Sequence, residues 1–120
     1  MFYRQNRPDS QWVPLPLNEQ TTKADRVALQ KSLSDALNKP EVFAVVVKDL
    51  QLQSRLGLKS EQEAVKRLSE MFFVREGEFK DPNTMMTYAT MDVGVKGKLK
   101  DRPLLGEIAV RLGKETRKIL

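Results

Sequence analysis

The sequence predicts one mainly α-helical domain with a small β-hairpin, an α+β fold that is preceded by an extended N-terminal arm. Three observations support this prediction: apolar residues recur at helical spacing in several segments, a β-rich stretch with turn residues lies at about 73–95, and prolines interrupt the first twenty residues. The expected boundaries are 1–20 for the arm and 21–120 for the domain. A chain of 120 residues is long enough to bury one hydrophobic core.

The arm combines three prolines with apolar side chains. Pro8, Pro14 and Pro16 interrupt any regular strand ladder, so the segment is expected to be extended or polyproline-like. Its apolar residues are too many for an idle tail, and we identify as candidate partner-docking residues Phe2, Tyr3, Trp12, Leu15 and Leu17. Three placements are open: a strap across the core of this domain, docking on a neighbouring subunit, and docking on another partner.

Two helices are predicted before Gly57. The first spans 22–38, because leucines recur every four residues and Thr22 with Asp25 resembles a capping box. Residues 41–56 are rich in β-branched side chains and fit either a buried strand or a buried helix. We favour the helix, because no turn signal interrupts the segment before the glycine.

The second half of the chain is expected to contain a helix, a hairpin and a last helix, at about 60–72, 73–95 and 103–119. Ser60 opens a capping box at the start of the first of these helices. The hairpin is predicted from β-leaning residues on both sides of the turn sequence Asp81-Pro82-Asn83. Pro103 is placed to begin the last helix.

This order of elements resembles a winged helix-turn-helix, with a three-helix core and an additional C-terminal helix. The resemblance implies that the helix at 60–72 reads DNA and that the hairpin is a wing. The candidate nucleic-acid-binding residues in these elements are Lys59, Gln62, Lys66, Arg67 and Arg75. The alternative interpretation is an ordinary amphipathic helix, since glutamates accompany the basic residues along it.

The positive charge of the chain is concentrated at its C-terminal end. Residues 1–95 contain equal numbers of basic and acidic side chains, whereas residues 96–120 contain eight basic and three acidic ones and so account for the net charge of +5. We expect an exposed basic connector that contacts phosphate through Lys96, Lys98, Lys100 and Arg102. The basic residues nearer the C-terminus have an alternative explanation, because cations are favoured in the last turns of a helix.

The absence of cysteine and histidine restricts the chemistry open to the chain. It removes cysteine nucleophiles, the commonest general base and the usual ligands of transition metals. We therefore predict a protein that is not an enzyme, with no catalytic residues, no metal, no cofactor and no evident small-molecule substrate. A signal peptide and a membrane span are not predicted, so we expect an intracellular location, in the cytoplasm or within a particle assembled inside the cell.

Two functional hypotheses follow. The first is a small DNA-associated protein of winged-helix type, which contacts DNA through the helix at 60–72 and the basic C-terminal region. The second is a structural or interaction subunit of a larger assembly of phage type, which docks through its N-terminal arm. The expected partners are nucleic acid in the first case, and a protein partner or further copies of the chain in the second.

Overall fold

The computed structural model describes residues 8–18 and 20–119. Within these residues it contains five α-helices and one three-stranded antiparallel sheet. The strands are β1 (Pro8–Pro16), β2 (Phe72–Lys80) and β3 (Thr87–Lys98). The helices are α1 (Lys23–Leu37), α2 (Pro40–Leu50), α3 (Leu52–Arg55), α4 (Glu61–Met71) and α5 (Arg102–Ile119), and a 3₁₀ turn, Leu99–Asp101, precedes α5. The predicted α+β class is therefore confirmed.

The central strand of the sheet is β3, with β1 on one side and β2 on the other. Val93 pairs with Val13 of β1 and with Val74 of β2, which fixes the antiparallel register of both pairs. Directly opposite residues of antiparallel strands point to the same side of a sheet. One face of the sheet, which we call the inner face, therefore carries the buried side chains Leu15, Val74, Met91, Val93 and Val95.

The helices pack against the inner face and form the second layer of the domain. All five helices contribute to the core, with the fully buried residues Leu33, Leu37, Phe43, Val46, Leu52, Leu68, Leu105, Ile108 and Leu112. α5 packs closely on the sheet at Gly113, where a Cβ would be in van der Waals contact with Val13 at 3.5 Å. None of the helices in the described ranges is long and apolar enough to cross a membrane.

Side-chain caps define where two of the helices begin. The Thr22 hydroxyl accepts a hydrogen bond from the Asp25 N–H at 3.1 Å, and the Asp25 carboxylate accepts one from the Thr22 N–H at 3.1 Å. This is the capping box expected before α1. Ser60 caps α4 by accepting from the Glu63 N–H at 3.2 Å, and α4 follows directly.

The ambiguous segment 41–56 is helical, and its interpretation as a strand is therefore wrong. It is divided into α2 and α3 at Gln51, whose left-handed backbone (φ 54°) ends the first helix. Gly57 has φ +67° and ends α3, in a left-handed conformation that glycine adopts more readily than any other residue. The apolar run at 42–47 folds as a helix because Phe43, Val46 and Val47 then face the core together.

The predicted N-terminal arm differs most from the observed structure. Residues 8–16 form β1, which pairs along its whole length with β3, so this part of the arm is a strand of the domain's own sheet. Pro14 and Pro16 are tolerated because β1 is an edge strand, where a missing N–H does not break an internal ladder. Phe2 and Tyr3 lie outside the described residues.

The hairpin also differs from the prediction in extent. β2 and β3 are connected by the expected turn, in which Asp81 N–H donates to the Met86 carbonyl at 2.9 Å. β3 continues to Lys98, so the first residues of the predicted basic connector belong to the strand. Because β1 pairs with the other edge of β3, the hairpin is part of a three-stranded sheet and does not project as a separate two-stranded unit.

The placement of β1 in the sheet predicts a specific loss of stability. Leu15 is 6% exposed and belongs to the core cluster, so Leu15→Ala should lower the free energy of unfolding by about 2–4 kcal/mol. Val27→Ala is the matched control, because Val27 is 52% exposed on α1 and its truncation should change stability by less than about 0.5 kcal/mol. Urea denaturation measures both. A Leu15→Ala variant as stable as the parent would contradict the docking of β1.

Candidate nucleic-acid interface

The second face of the sheet, which we call the outer face, lies opposite the helical layer. The register places on it every other residue of each strand, which sets apolar rings beside charged groups. Its members are Pro8, Ser10, Trp12, Pro14 and Pro16 on β1, Phe73, Arg75, Gly77 and Phe79 on β2, and Tyr88, Thr90, Asp92, Gly94, Lys96 and Lys98 on β3. The face thus combines four aromatic residues and five prolines or glycines with the charged residues Arg75, Asp92, Lys96 and Lys98.

Four of these residues form what we call the aromatic–cation cluster: Trp12, Phe73, Arg75 and Lys96. The Arg75 guanidinium carbon lies 4.6 Å from the centroid of the Trp12 ring and 4.7 Å from that of Phe73. Lys96 Nζ lies 5.6 Å from the Phe73 centroid. These distances are within the range of cation–π attraction. Trp12 is nevertheless 44% exposed, so the cluster presents its ring to solvent.

Gly94 lies at the centre of the cluster, opposite Trp12 on one side and Phe73 on the other. A Cβ at this position would overlap the Gln11 carbonyl oxygen and lie 2.7 Å from the Trp12 Cα. The residue therefore has to be glycine for β1 to approach β3 as it does.

A buried polar pair supports Arg75 from the middle of the sheet. Asp92 is 5% exposed and Thr90 is 2% exposed, and the Thr90 hydroxyl donates to Asp92 Oδ1 at 2.9 Å. The other carboxylate oxygen lies 3.8 Å from Arg75 Nε. Gly77 faces the carboxylate, which would meet a Cβ there. Asp92 thus holds the guanidinium over the rings, while the Arg75 side chain stays 43% exposed.

The structure brings part of the predicted nucleic-acid-binding set to this face. Arg75 and Lys96 are in the cluster, and Lys98 lies two residues further along the same side of β3. Lys100 is exposed in the 3₁₀ turn that follows. Arg102 instead bonds to the Asp9 carboxylate at 2.9 Å, and this hydrogen bond lowers the pKa of Asp9.

Several of the C-terminal cations are paired with acidic groups. Arg111 forms ion pairs with Asp49 at 2.7 Å and with Glu115 at 2.6 Å. Lys118 lies 3.2 Å from the same Glu115 oxygen. The hydrogen bond from Arg111 lowers the pKa of Glu115, so this carboxyl stays ionised to lower pH than usual. These pairs reduce the positive potential at the end of α5, whereas Lys96, Lys98 and Lys100 are all exposed.

The predicted recognition residues occupy a different surface. Gln62, Lys66 and Arg67 are exposed on α4, and Lys59 is exposed just before it. The buried side of α4 belongs to the core on the inner face of the sheet, so these residues stand on the helical side of the domain. Three exposed glutamates share this surface with them: Glu61, Glu63 and Glu70.

The candidate docking residues of the arm have separate environments. Leu15 is buried in the domain's own core and Leu17 packs against it. Trp12 belongs to the aromatic–cation cluster instead. The sequence indicated neither Phe73 as its counterpart nor Asp92 as the support of Arg75. Because Phe73 and Arg75 are two positions apart, the sequence could have placed them on the same side of a strand. Their proximity to Trp12, however, depends on the register of three strands across the sheet.

Comparison of the chain with protein-family models, with curated proteins and with solved structures gives no significant match.

The requirement for glycine at position 94 gives a prediction with a matched control. Gly94→Ala should lower the free energy of unfolding by about 1–3 kcal/mol, because the added Cβ forces β1 away from β3. Gly106→Ala lies within α5 with open space around the new Cβ, and it should raise stability by about 0.5–1 kcal/mol through helix propensity. Thermal or urea unfolding distinguishes the two. Equal effects of the same sign would be inconsistent with the close approach at Gly94.

Proposed function

We propose that this protein binds single-stranded nucleic acid on the outer face of its sheet, with bases stacked on the rings of the aromatic–cation cluster and phosphates neutralised by its cations. The observation that carries this proposal is the position of Arg75, held over both Trp12 and Phe73 on a surface opposite the helices. The proposal is of a binding role and not of catalysis.

Stacking explains the preference for single strands. Every unpaired base has a free π-face, and stacking of one base on an aromatic side chain contributes about 1–3 kcal/mol. A base in a duplex is already stacked on its neighbours and presents only its edges in the grooves. A sheet face that exposes aromatic rings is suited to the faces of bases, whereas sequence-specific duplex recognition requires an element that enters a groove.

The charges on this face favour a polyanion. Lys96 continues the cluster towards the exposed Lys98 and Lys100, so a line of cations leads away from the rings at one end of the sheet. Asp92 neutralises Arg75 only in part, because its oxygen lies 3.8 Å from Nε, longer than a hydrogen bond. The guanidinium therefore retains donors for a phosphate oxygen while its central carbon lies within 4.7 Å of both ring centroids.

The surfaces used by the two hypotheses from the sequence are less suited to binding than the outer face. DNA binding of winged-helix type through α4 has Lys66 and Arg67 in its favour, but glutamates surround them and the hairpin is held within a three-stranded sheet. The assembly-subunit hypothesis uses five residues of the arm for docking, and two of them, Leu15 and Leu17, pack on the domain's own core. Trp12 belongs to the aromatic–cation cluster, and Phe2 and Tyr3 lie outside the described residues. The outer face is therefore a better candidate for ligand binding than the exposed side of α4 or the N-terminal arm.

The experiment uses the single tryptophan of the chain, which lies in the proposed site. Titration with a single-stranded oligonucleotide should quench the Trp12 emission, and the matching duplex should quench it far less. Affinity should fall with salt, by about 0.7 log units per log unit of salt for each phosphate neutralised. Absence of quenching and of binding at about 50 mM salt, a condition that favours electrostatic association, would refute the proposal.

Paired variants distinguish the two nucleic-acid surfaces. Arg75→Gln with Lys96→Gln should weaken single-strand binding and lower the salt slope by about 1.4, because two phosphate contacts are lost. Lys66→Gln with Arg67→Gln removes the same charge from α4 and should leave affinity and slope unchanged. Fluorescence anisotropy of a labelled oligonucleotide measures both. If only the α4 variant weakened binding, the helix and not the sheet would be the interface.

The contribution of stacking is tested separately from charge. Phe73→Leu keeps an apolar side chain at the position but removes the ring, so affinity should fall by about 5- to 150-fold, the equivalent of one stacked base. Phe79→Leu is a control outside the aromatic–cation cluster, because Phe79 pairs with Tyr88 near the other end of β2. Its effect should be smaller on an oligonucleotide made only of thymidine. A Phe73→Leu variant with unchanged affinity would exclude the ring as a stacking platform.

A further inference from the structure

We propose that a slot at the far end of the outer face binds one guanine base of the same nucleic-acid strand, with the Asp81 carboxylate accepting hydrogen bonds from the base. This inference rests on the proposed function and assigns it a base preference. The slot is lined by Pro14, Pro16, Phe79, Asp81, Tyr88 and Thr90, and its volume is about 460 Å³.

The slot is continuous with the aromatic–cation cluster. Pro14 and Pro16 follow Trp12 on the same side of β1, and Tyr88 and Thr90 lie on the same side of β3 as Gly94. Trp12 and Pro16 are four positions apart along β1, a distance of about 13 Å. A strand whose bases rest on the cluster therefore needs only a short extension to place another base in the slot.

The shape and lining of the slot suit a flat aromatic ring. Two prolines on β1 face two aromatic side chains at the end of the hairpin. Phe79 is 48% exposed and is not part of the core, so its ring is available to a ligand. Ligand sites of this kind are mostly apolar and carry a few polar groups that fix orientation. A sugar-phosphate group fits this lining poorly, whereas the face of a base fits it well.

Asp81 supplies the charged group in the lining. The turn holds its backbone at both ends: its N–H donates to the Met86 carbonyl at 2.9 Å, and its carbonyl accepts from the Met85 N–H at 2.7 Å. Its Oδ1 accepts from the Asn83 N–H at 2.8 Å. A carboxylate has about four acceptor sites, so one such bond leaves capacity for a ligand.

A fixed carboxylate selects among bases by their donors. It repels phosphate, so the base and not the backbone occupies this end of the face. The Watson–Crick edge of guanine presents two adjacent donors, N1–H and the N2 amino group, which match the two oxygens of a carboxylate. Adenine and cytosine present one amino group beside an acceptor, and thymine and uracil place carbonyl oxygens on both sides of a single N–H. Guanine is therefore the base that Asp81 favours.

The test places a single guanine at each position of an oligothymidine in turn and measures affinity by anisotropy. One position should raise affinity by about 5- to 150-fold over the all-thymine strand, the range of a good bidentate contact. Inosine at that position keeps N1–H but lacks the N2 amino group, so its gain should be smaller. In Asp81→Asn the ratio of guanine to thymine affinity should fall to about one. Asp35→Asn, on the exposed side of α1, should leave this ratio unchanged.

The outcomes separate this inference from the function on which it rests. Quenching of Trp12 with equal affinity for guanine and thymine at every position overturns the slot and leaves the stacking face in place. A guanine preference that persists in Asp81→Asn overturns the role of the carboxylate. The inosine measurement uses the unaltered protein and so does not depend on the folding of a variant. Absence of oligonucleotide binding overturns both proposals.

Discussion

The pairing of β3 with strands on both of its sides is the constraint on which the rest of the structure depends. Because side chains alternate along a strand, the same residues build two surfaces. Met91, Val93 and Val95 face the helices and are completely buried. The intervening residues, from Thr90 to Lys96, form the centre of the outer face. A shift of β3 by one residue would bury the polar set and expose the apolar one, so core and candidate site have a common register.

Several residues in the middle of the sheet serve the outer face and are not needed for packing of the core. A carboxylate that is 5% exposed in the middle of a sheet is unfavourable unless its partners are present. Asp92 has such partners in the Thr90 hydroxyl and the Arg75 guanidinium. Gly77 gives it space, since any side chain there would collide with the carboxylate. The sheet thus commits three positions to holding one cation over two rings, which a purely structural surface does not need.

The sequence predicted the helices well and the sheet poorly, for a physical reason. Helix signals are local: the capping groups of Thr22 and Ser60 and the left-handed Gly57 act within one turn of the chain. The pairing of β1 with β3 joins residues about eighty positions apart, and three prolines in β1 concealed its strand character. The candidate site shows the same division. Arg75 and Lys96 were identified from charge, but their association with Trp12 follows only from the register.

The two edges of the sheet are poorly suited to pairing with an additional strand, which leaves the outer face as the surface open to a ligand. β1 presents prolines along its free edge, and these cannot donate to an incoming strand. α1 lies along part of the edge formed by β2, where Gln30 Nε2 donates to the Val74 carbonyl at 2.9 Å and Arg26 lies 3.8 Å from Glu76. Strand addition is therefore disfavoured at both edges. A ligand of this sheet has to approach its face, where rings and cations are displayed together and backbone groups are already paired.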